Sequence, residues 1–250
     1  MGVEQLDSHL GAVMAGADSP MAAANLLCQA CVEFLEVDGA SVSLTHQGAS
    51  RGTFGSSGEL SRRLDEYQFT FGEGPCLDAV AQGAPVFVAD LADPGELRWP
   101  AFRDAVLGCG IGAVFALPVV VSSHHVGALD LFNRRTGPLS ADAVAGGLLA
   151  ARLAALPLLD LMTANVDWDE HSQSEYGWEQ LSSLERVEVY QATGMIIGAW
   201  NVSPTEALVR LRGNAYARGM TASELAWSIV GRRITLDDDY GFGAADGTNR

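Results

Sequence analysis

Strand-like alternation is confined to one part of this chain, residues 40 to 135, and helical spacing fills the rest. ASVSLTH (40–46) alternates as a half-buried strand should, and Arg51–Gly55 reads as its hairpin partner. Pro85–Val88 is a short strand, AVFALPVVV (113–121) a buried one, and VGALDLFNRR (126–135) the next. Residues 4–36 repeat apolar side chains at helical spacing, broken at Asp18-Ser19-Pro20, where serine can cap and proline can open a helix. Shorter helices are expected at 59–69, 76–82 and 101–108, with loops at Phe71–Pro75 and Asp90–Pro100. Leu139-Ser140 opens a long apolar helix reaching about Ala164, which Pro157 should kink or end. The pattern predicts an α+β unit: an antiparallel sheet, helices at both chain ends, and a loop-rich face between strands.

The polar, acidic stretch VDWDEHSQSEYG (166–177) then separates this unit from a purely helical one. Three helices are expected there, over 178–199, from Ser203 to Arg218, and from Thr221 to Ile234. Ser203/Glu206 and Thr221/Glu224 are spaced as capping boxes. The expected inner faces are Ala192, Met195, Ile196 and Ala199; then Ala207, Leu208, Leu211, Ala215 and Tyr216; then Leu225, Ala226, Ile229 and Val230. No strand is expected after Leu181, and 236–250 lacks periodicity and reads as disordered. The expected domains are therefore 1–163, a linker at 164–177, a helical domain at 178–235 and a tail at 236–250.

Charge narrows the function classes. The 250 residues carry a net charge of −16, and all 15 basic residues are arginine. That acidity opposes general adhesion to nucleic acid or to an anionic membrane. From Leu181 to Thr235, however, six arginines face four glutamates. A local excess of arginine on an acidic chain points to a nucleic-acid-facing module. Taken alone, the same arginines fit a solvated charged face. No basic and apolar leader is read at the N-terminus, and no uncharged run reaches the ~18 apolar residues of a membrane span. A cytoplasmic, reduced setting is expected for Cys28, Cys31, Cys76 and Cys109.

Catalytic chemistry has little to stand on. The five histidines are scattered, and Cys28-x-x-Cys31 lies in an apolar helix with no second pair to complete a zinc site. No Walker loop, G-x-S-x-G or H-E-x-x-H occurs, and Gly72-Glu-Gly74 is too short to cradle phosphate. The reading is therefore not an enzyme, with no metal and no cofactor. Cys76 keeps one rival open, a redox sensor or enzyme, because a helix start favours its thiolate. Gly194, inside a helix, costs about 1 kcal/mol against alanine and suggests close approach by a helix or a ligand.

Two resemblances sharpen this reading. Gly72–Ala79 (GEGPCLDA), Asp90-Leu91-x-x-Pro94, Arg98–Phe102 (RWPAF), Gly112 before a strand ending Leu117-Pro118, and Gly127–Arg135 (GALDLFNRR) resemble a GAF domain over about 10–163. That implies a sensor and dimerisation unit in which Phe71, Cys76, Trp99 and Phe102 would line any pocket, though the same four residues fit equally as a core that anchors the loops. The signature of the cyclic-nucleotide-binding subset is missing, so cyclic GMP is not inferred.

Arg186, Gln191–Met195 (QATGM), Ser203, Glu206-Ala207, Leu211-Arg212, Ala215 and Ala226 resemble the ANTAR domain over about 176–234. Thr193 stands where that family usually has lysine, and Leu225 where its closing motif has valine. This resemblance implies a three-helix, RNA-binding transcription antiterminator that recognises paired hairpins in leader transcripts. The implied contacts are Gln191, Thr193, Gly194, Arg212, Ala215, Tyr216 and Arg218. The surplus apolar surface of 140–164 suggests a homodimer, which would let two such domains engage two hairpins. An unknown small-molecule signal at the GAF domain completes the expected partners, with no membrane among them. The alternative is a non-catalytic interaction or dimerisation module without RNA binding.

Overall fold

The computed structural model describes residues 3–46, 49–163, 186–237 and 242–244. The chain forms two compact units, Met1–Glu185 and Arg186–Arg250. The expected linker at 164–177 lies outside the described residues.

The first unit opens with α1 (Val3–Ala15) and α2 (Pro20–Leu35). Ser19 caps α2 by accepting from the Ala22 N–H at 3.2 Å, with Pro20 at the first helical position. β1 (Gly39–His46) and β2 (Ala49–Ser56) form a hairpin. Next come α3 (Glu59–Phe71), α4 (Pro75–Gln82), β3 (Val86–Val88) and α5 (Pro100–Gly108). β4 (Ala113–Val121) and β5 (His124–Asn133) complete one sheet of order β2-β1-β5-β4-β3, and every neighbouring pair is antiparallel.

The sheet is covered on both faces. Val42 and Leu44 of β1, Phe115 and Leu117 of β4, and Leu129 and Leu131 of β5 pack with Leu10, Leu27 and Cys31 of α1 and α2. Val114, Ala116 and Phe132 face the other way, toward Leu64 of α3, Ala79 of α4, and Phe102 and Val106 of α5. Hence AVFALPVVV has no polar face. It also corrects the half-buried reading of β1, because Ser41 and Ser43 are fully buried too. Pro118 is tolerated because β3 pairs with β4 only at Val114–Ala116 and stops short of it.

After Ser140, which caps by accepting from the Ala143 N–H, the expected long helix is two: α6 (Ala141–Leu153) and α7 (Ala155–Thr163). The break at Ala154 follows from Pro157, whose ring opposes the carbonyl four residues back, that of Leu153. Ala141–Asp160 is long and apolar enough to cross a membrane by length and composition. Here it is a core element, with Ala150, Ala154 and Leu158 buried in the cluster against the sheet.

The second unit contains α8 (Val187–Trp200), α9 (Pro204–Ala217) and α10 (Ala222–Val230). Its core is Val189, Ala192, Ile196 and Trp200 against Ala207, Leu211 and Ala215, and Ala222, Leu225, Ala226 and Ile229. Several expected inner residues are displaced: Met195 and Ala199 of α8 and Tyr216 of α9 are exposed, and Leu208 and Val230 are half-buried. Val189 and Trp200 take over the α8 stripe because they lie three and four residues from Ala192 and Ile196. Thr221 and Glu224 make the full capping box, at 3.1 and 2.8 Å. Glu206 does not complete the other box: Ser203 accepts from the Glu206 N–H, but the Glu206 carboxylate turns to Arg210 at 2.7 Å.

Two further expectations fail here. α10 ends at Val230, and the chain then makes a strand, β6 (Ile234–Leu236), paired antiparallel with β7 (Phe242–Ala244). A strand thus follows the helices, and part of the expected disordered tail is ordered by burial of Phe242.

Candidate functional site

The α3/α4 face of the sheet holds a polar cluster. β5 places Asp130 between Ser41 of β1 and Ala116 of β4, facing inward with Ala128 and Phe132. Asp130 Oδ2 accepts from Gln68 Nε2 of α3 at 3.0 Å and from Ser43 Oγ at 3.3 Å. Its Oδ1 and the Ser41 hydroxyl are buried without a hydrogen-bond partner among the described residues. Asp65, one turn before Gln68, accepts from Ser50 at 3.1 Å and Thr53 at 2.7 Å. Burial first, and the Asp65 carboxylate second, push the Asp130 carboxyl up to about 8. This carboxyl therefore holds a proton near neutrality and can donate as well as accept.

The glycine-rich loop is tied to that cluster. Gln68 Oε1 accepts from the Cys76 N–H at 2.8 Å, at the start of α4. A Cβ on Gly74 would lie 2.5 Å from the same oxygen, and Gly74 has a φ of +144°, so glycine is required there twice over. Glu73 reaches across to α5, where its Oε1 accepts from the N–H groups of Ala101 at 2.8 Å and Phe102 at 3.1 Å. The carboxylate thus caps a helix whose own N-cap, Trp99, is left-handed and makes no side-chain cap bond. Trp99 Nε1 donates to Asp78 of α4 at 3.2 Å, and Arg98 covers the indole at 4.4 Å while pairing with Glu96. Two motifs far apart in sequence are physically one joint. Replacing Glu73 by alanine should cost about 1–2 kcal/mol, with glutamine costing less because it keeps the acceptor. Urea unfolding followed by tryptophan fluorescence measures this.

The four residues expected either to line a pocket or to anchor the loops are packed inward to differing degrees. Cys76 and Phe102 are fully buried, Trp99 nearly so, and Phe71 is half-buried against the same apolar cluster. Burial pushes the Cys76 thiol well up, with Asp130 and Asp65 adding to it, so its place at a helix start does not yield a thiolate. Cys28 and Cys31 are core residues, and burial takes the Cys31 thiol to about 12. Among the described residues no group of three histidine, cysteine or acidic side chains could hold a metal ion.

The GAF domain family model matches residues 17–156, more than half of the chain. The chain belongs to the GAF domain family. Such domains are sensory or regulatory modules. The GAF domain of a phosphoenolpyruvate-protein phosphotransferase from Coxiella burnetii is 16% identical, with 65% of this chain and 95% of that one covered at a TM-score of 0.51. The corresponding GAF domain from Acinetobacter is 15% identical, covering 66% and 100% at 0.49. A free methionine-R-sulfoxide reductase from Neisseria meningitidis, solved with its substrate, is 19% identical, covering 61% and 86% at 0.45. No curated protein matches the chain.

The GAF domain's polar cluster was missed in the sequence. Its signal was Asp130 itself, a carboxylate inside an apolar strand, in phase with Ala128 and Phe132. Ser41 and Ser43 alternate in the same way on β1.

In the helical unit the seven residues expected to contact RNA divide. Gln191, Gly194, Tyr216 and Arg218 are exposed, Thr193 and Arg212 are half-buried, and Ala215 is fully buried. Ala215 is a core residue and leaves the contact set. Burial, and then the neighbouring Arg186, push the Arg212 guanidinium below its ordinary range. Among the described residues nothing lies within 4 Å of where a Cβ would stand on Gly194 or Gly198, so packing within the described unit does not explain Gly194.

Proposed function

We propose that this protein is a sensor–effector regulator, in which the GAF domain controls a C-terminal ANTAR domain that binds paired hairpins in nascent RNA and prevents termination. The observation that carries this reading is the open backbone at Gly194. A mid-helix glycine costs about 1 kcal/mol, and no side chain of the described unit uses the space it leaves. An external ligand that approaches the backbone does use it. Gln191 and Gly194 share the exposed stripe of α8 with Tyr190. Unpaired loop bases need such a surface: an open backbone, an amide for base edges and aromatic faces for stacking.

The GAF domain serves in this reading as the sensor and dimerisation module of a cytoplasmic homodimer. Leu148, Leu156 and Leu159 are 47%, 50% and 36% exposed on α6 and α7, which supports a second copy there. The buried, high-pKa thiol of Cys76 weighs against catalysis or redox sensing through that residue.

Fluorescence anisotropy at several salt concentrations tests the reading, with a two-hairpin RNA against the same RNA with one loop scrambled. The intact pair should bind tighter, and Gln191→Ala should weaken it about tenfold while leaving the fold intact. Equal binding of both RNAs at low salt would overturn it. The second reading, a protein-docking unit without RNA binding, would then lead. It is favoured by Val187, Val209 and Trp227, which are 53%, 62% and 56% exposed.

A further inference from the structure

Two arginines, Arg210 of α9 and its C-cap Arg218, are already engaged. Arg210 pairs with Glu206 and lies 5.5 Å over the ring of Trp200. Arg218, the C-cap of α9, donates from Nη2 to the carbonyl of Phe242 in β7. Trp200 itself is held by the same hairpin. Its Nε1 donates to the Asp237 carbonyl at 2.7 Å, just after β6, and the Phe242 ring meets it edge-on at 5.1 Å and 89°. Trp200 is 6% exposed and Phe242 7%. One short hairpin therefore covers an indole and also engages a guanidinium.

We propose that the β6–β7 hairpin is an autoinhibitory clip, which masks Trp200 and ties up Arg218 of an RNA-binding subsite and must open before a loop base can stack on the indole. The proposal rests on the RNA-binding reading above. An indole with a guanidinium over its ring is a platform for an unpaired base and its phosphate. The hairpin offers those groups internal substitutes: a phenyl edge for the base and backbone carbonyls for phosphate oxygens. Asp237, whose carbonyl meets the indole, adds a negative charge there, which repels a polyanion. The closure is also weak enough to reverse. Each strand has three residues, paired Ile234–Ala244, Thr235–Gly243 and Leu236–Phe242, and a two-stranded hairpin is marginal on its own.

The test compares the full chain with a chain ending at Leu236, with Phe242→Ala, and with a Thr235→Cys/Gly243→Cys pair that can be oxidised across the hairpin. A clip closed about nine-tenths of the time weakens apparent affinity about tenfold. The shortened chain and Phe242→Ala should therefore bind the two-hairpin RNA about five- to tenfold tighter than wild type. The oxidised pair should bind more weakly than wild type and recover on reduction. Equal affinity in all four would overturn the clip and leave RNA binding standing. Failure of every variant to distinguish intact from scrambled RNA would overturn the RNA-binding reading and the clip with it. If circular dichroism shows that the shortened chain or Phe242→Ala is unfolded, the oxidised and reduced pair decides alone.

Discussion

Asp130→Asn should be more stable than wild type at pH 8, and the difference should vanish toward pH 4. In the folded chain this carboxyl keeps its proton up to about pH 8, against an ordinary value of 3.8. Between those limits the folded state binds one more proton than the unfolded state. Wild-type stability must therefore fall as pH rises, by up to ~1.4 kcal/mol per unit from this group, and level off above the folded value. Asparagine keeps the acceptor that Gln68 and Ser43 use at 3.0 and 3.3 Å, and it has no proton to lose. Urea unfolding of both chains at pH 4.5, 6 and 8 measures the effect. Taking the difference between them cancels every titrating group that Asp130 does not perturb. Parallel stability curves would show that Asp130 is ionised in the fold.

Gly127→Ala should prevent the GAF domain from folding or cost about 3 kcal/mol or more. Gly127 sits in β5 opposite Leu44 of β1 and Val119 of β4. A Cβ there would lie 2.1 Å from the Ser43 carbonyl oxygen and 3.2 Å from the Leu44 Cα. Both are backbone atoms in the middle of the sheet, so relief requires β1 and β5 to separate. Gly194→Ala is the matched control. With open space above it in a helix, alanine should stabilise the helical unit by about 0.5–1 kcal/mol. Soluble yield and thermal unfolding of the two variants would move in opposite directions.

The opposite fates of these two glycines show where sequence reading stops. Both are single glycines within regular elements, and residue type alone treats them alike. What separates them is which backbone lies opposite, and that depends on strand order. The β2-β1-β5-β4-β3 arrangement puts Ser43 against β5 although 84 residues separate Ser43 from Gly127 along the chain. The same limit explains the joint between Glu73 and α5. GEGPC and RWPAF stand out as motifs, but nothing local says that the glutamate of one caps the helix of the other.

Elements and caps were legible because their causes are local. Alternation, helical spacing, Ser19 before Pro20, and Thr221 three residues before Glu224 act within one turn of chain. The antiparallel sheet flanked by helices followed from where those patterns begin and end. The α8 face was only partly legible, since Met195 and Trp200 are both apolar and only the tertiary packing, which lays the β6–β7 hairpin over Trp200, decides which is buried. The terminal strands were not legible, because three-residue strands carry no period and exist here through Phe242 against Trp200.

By itself, the sequence determined the succession of helices and strands, the division between a mixed unit and a helical one, and the motif residues of the GAF domain. Tertiary structure alone decided the rest. It buried Asp130 beside Asp65 and so kept its proton, turned Cys76 from a candidate thiolate into a packed thiol, and left Gly194 open while closing Gly127. It also laid Phe242 over Trp200. The physical reason is common to all: local pattern sets which way a backbone runs, whereas desolvation, charge proximity and steric exclusion depend on groups that meet only after the chain has closed on itself.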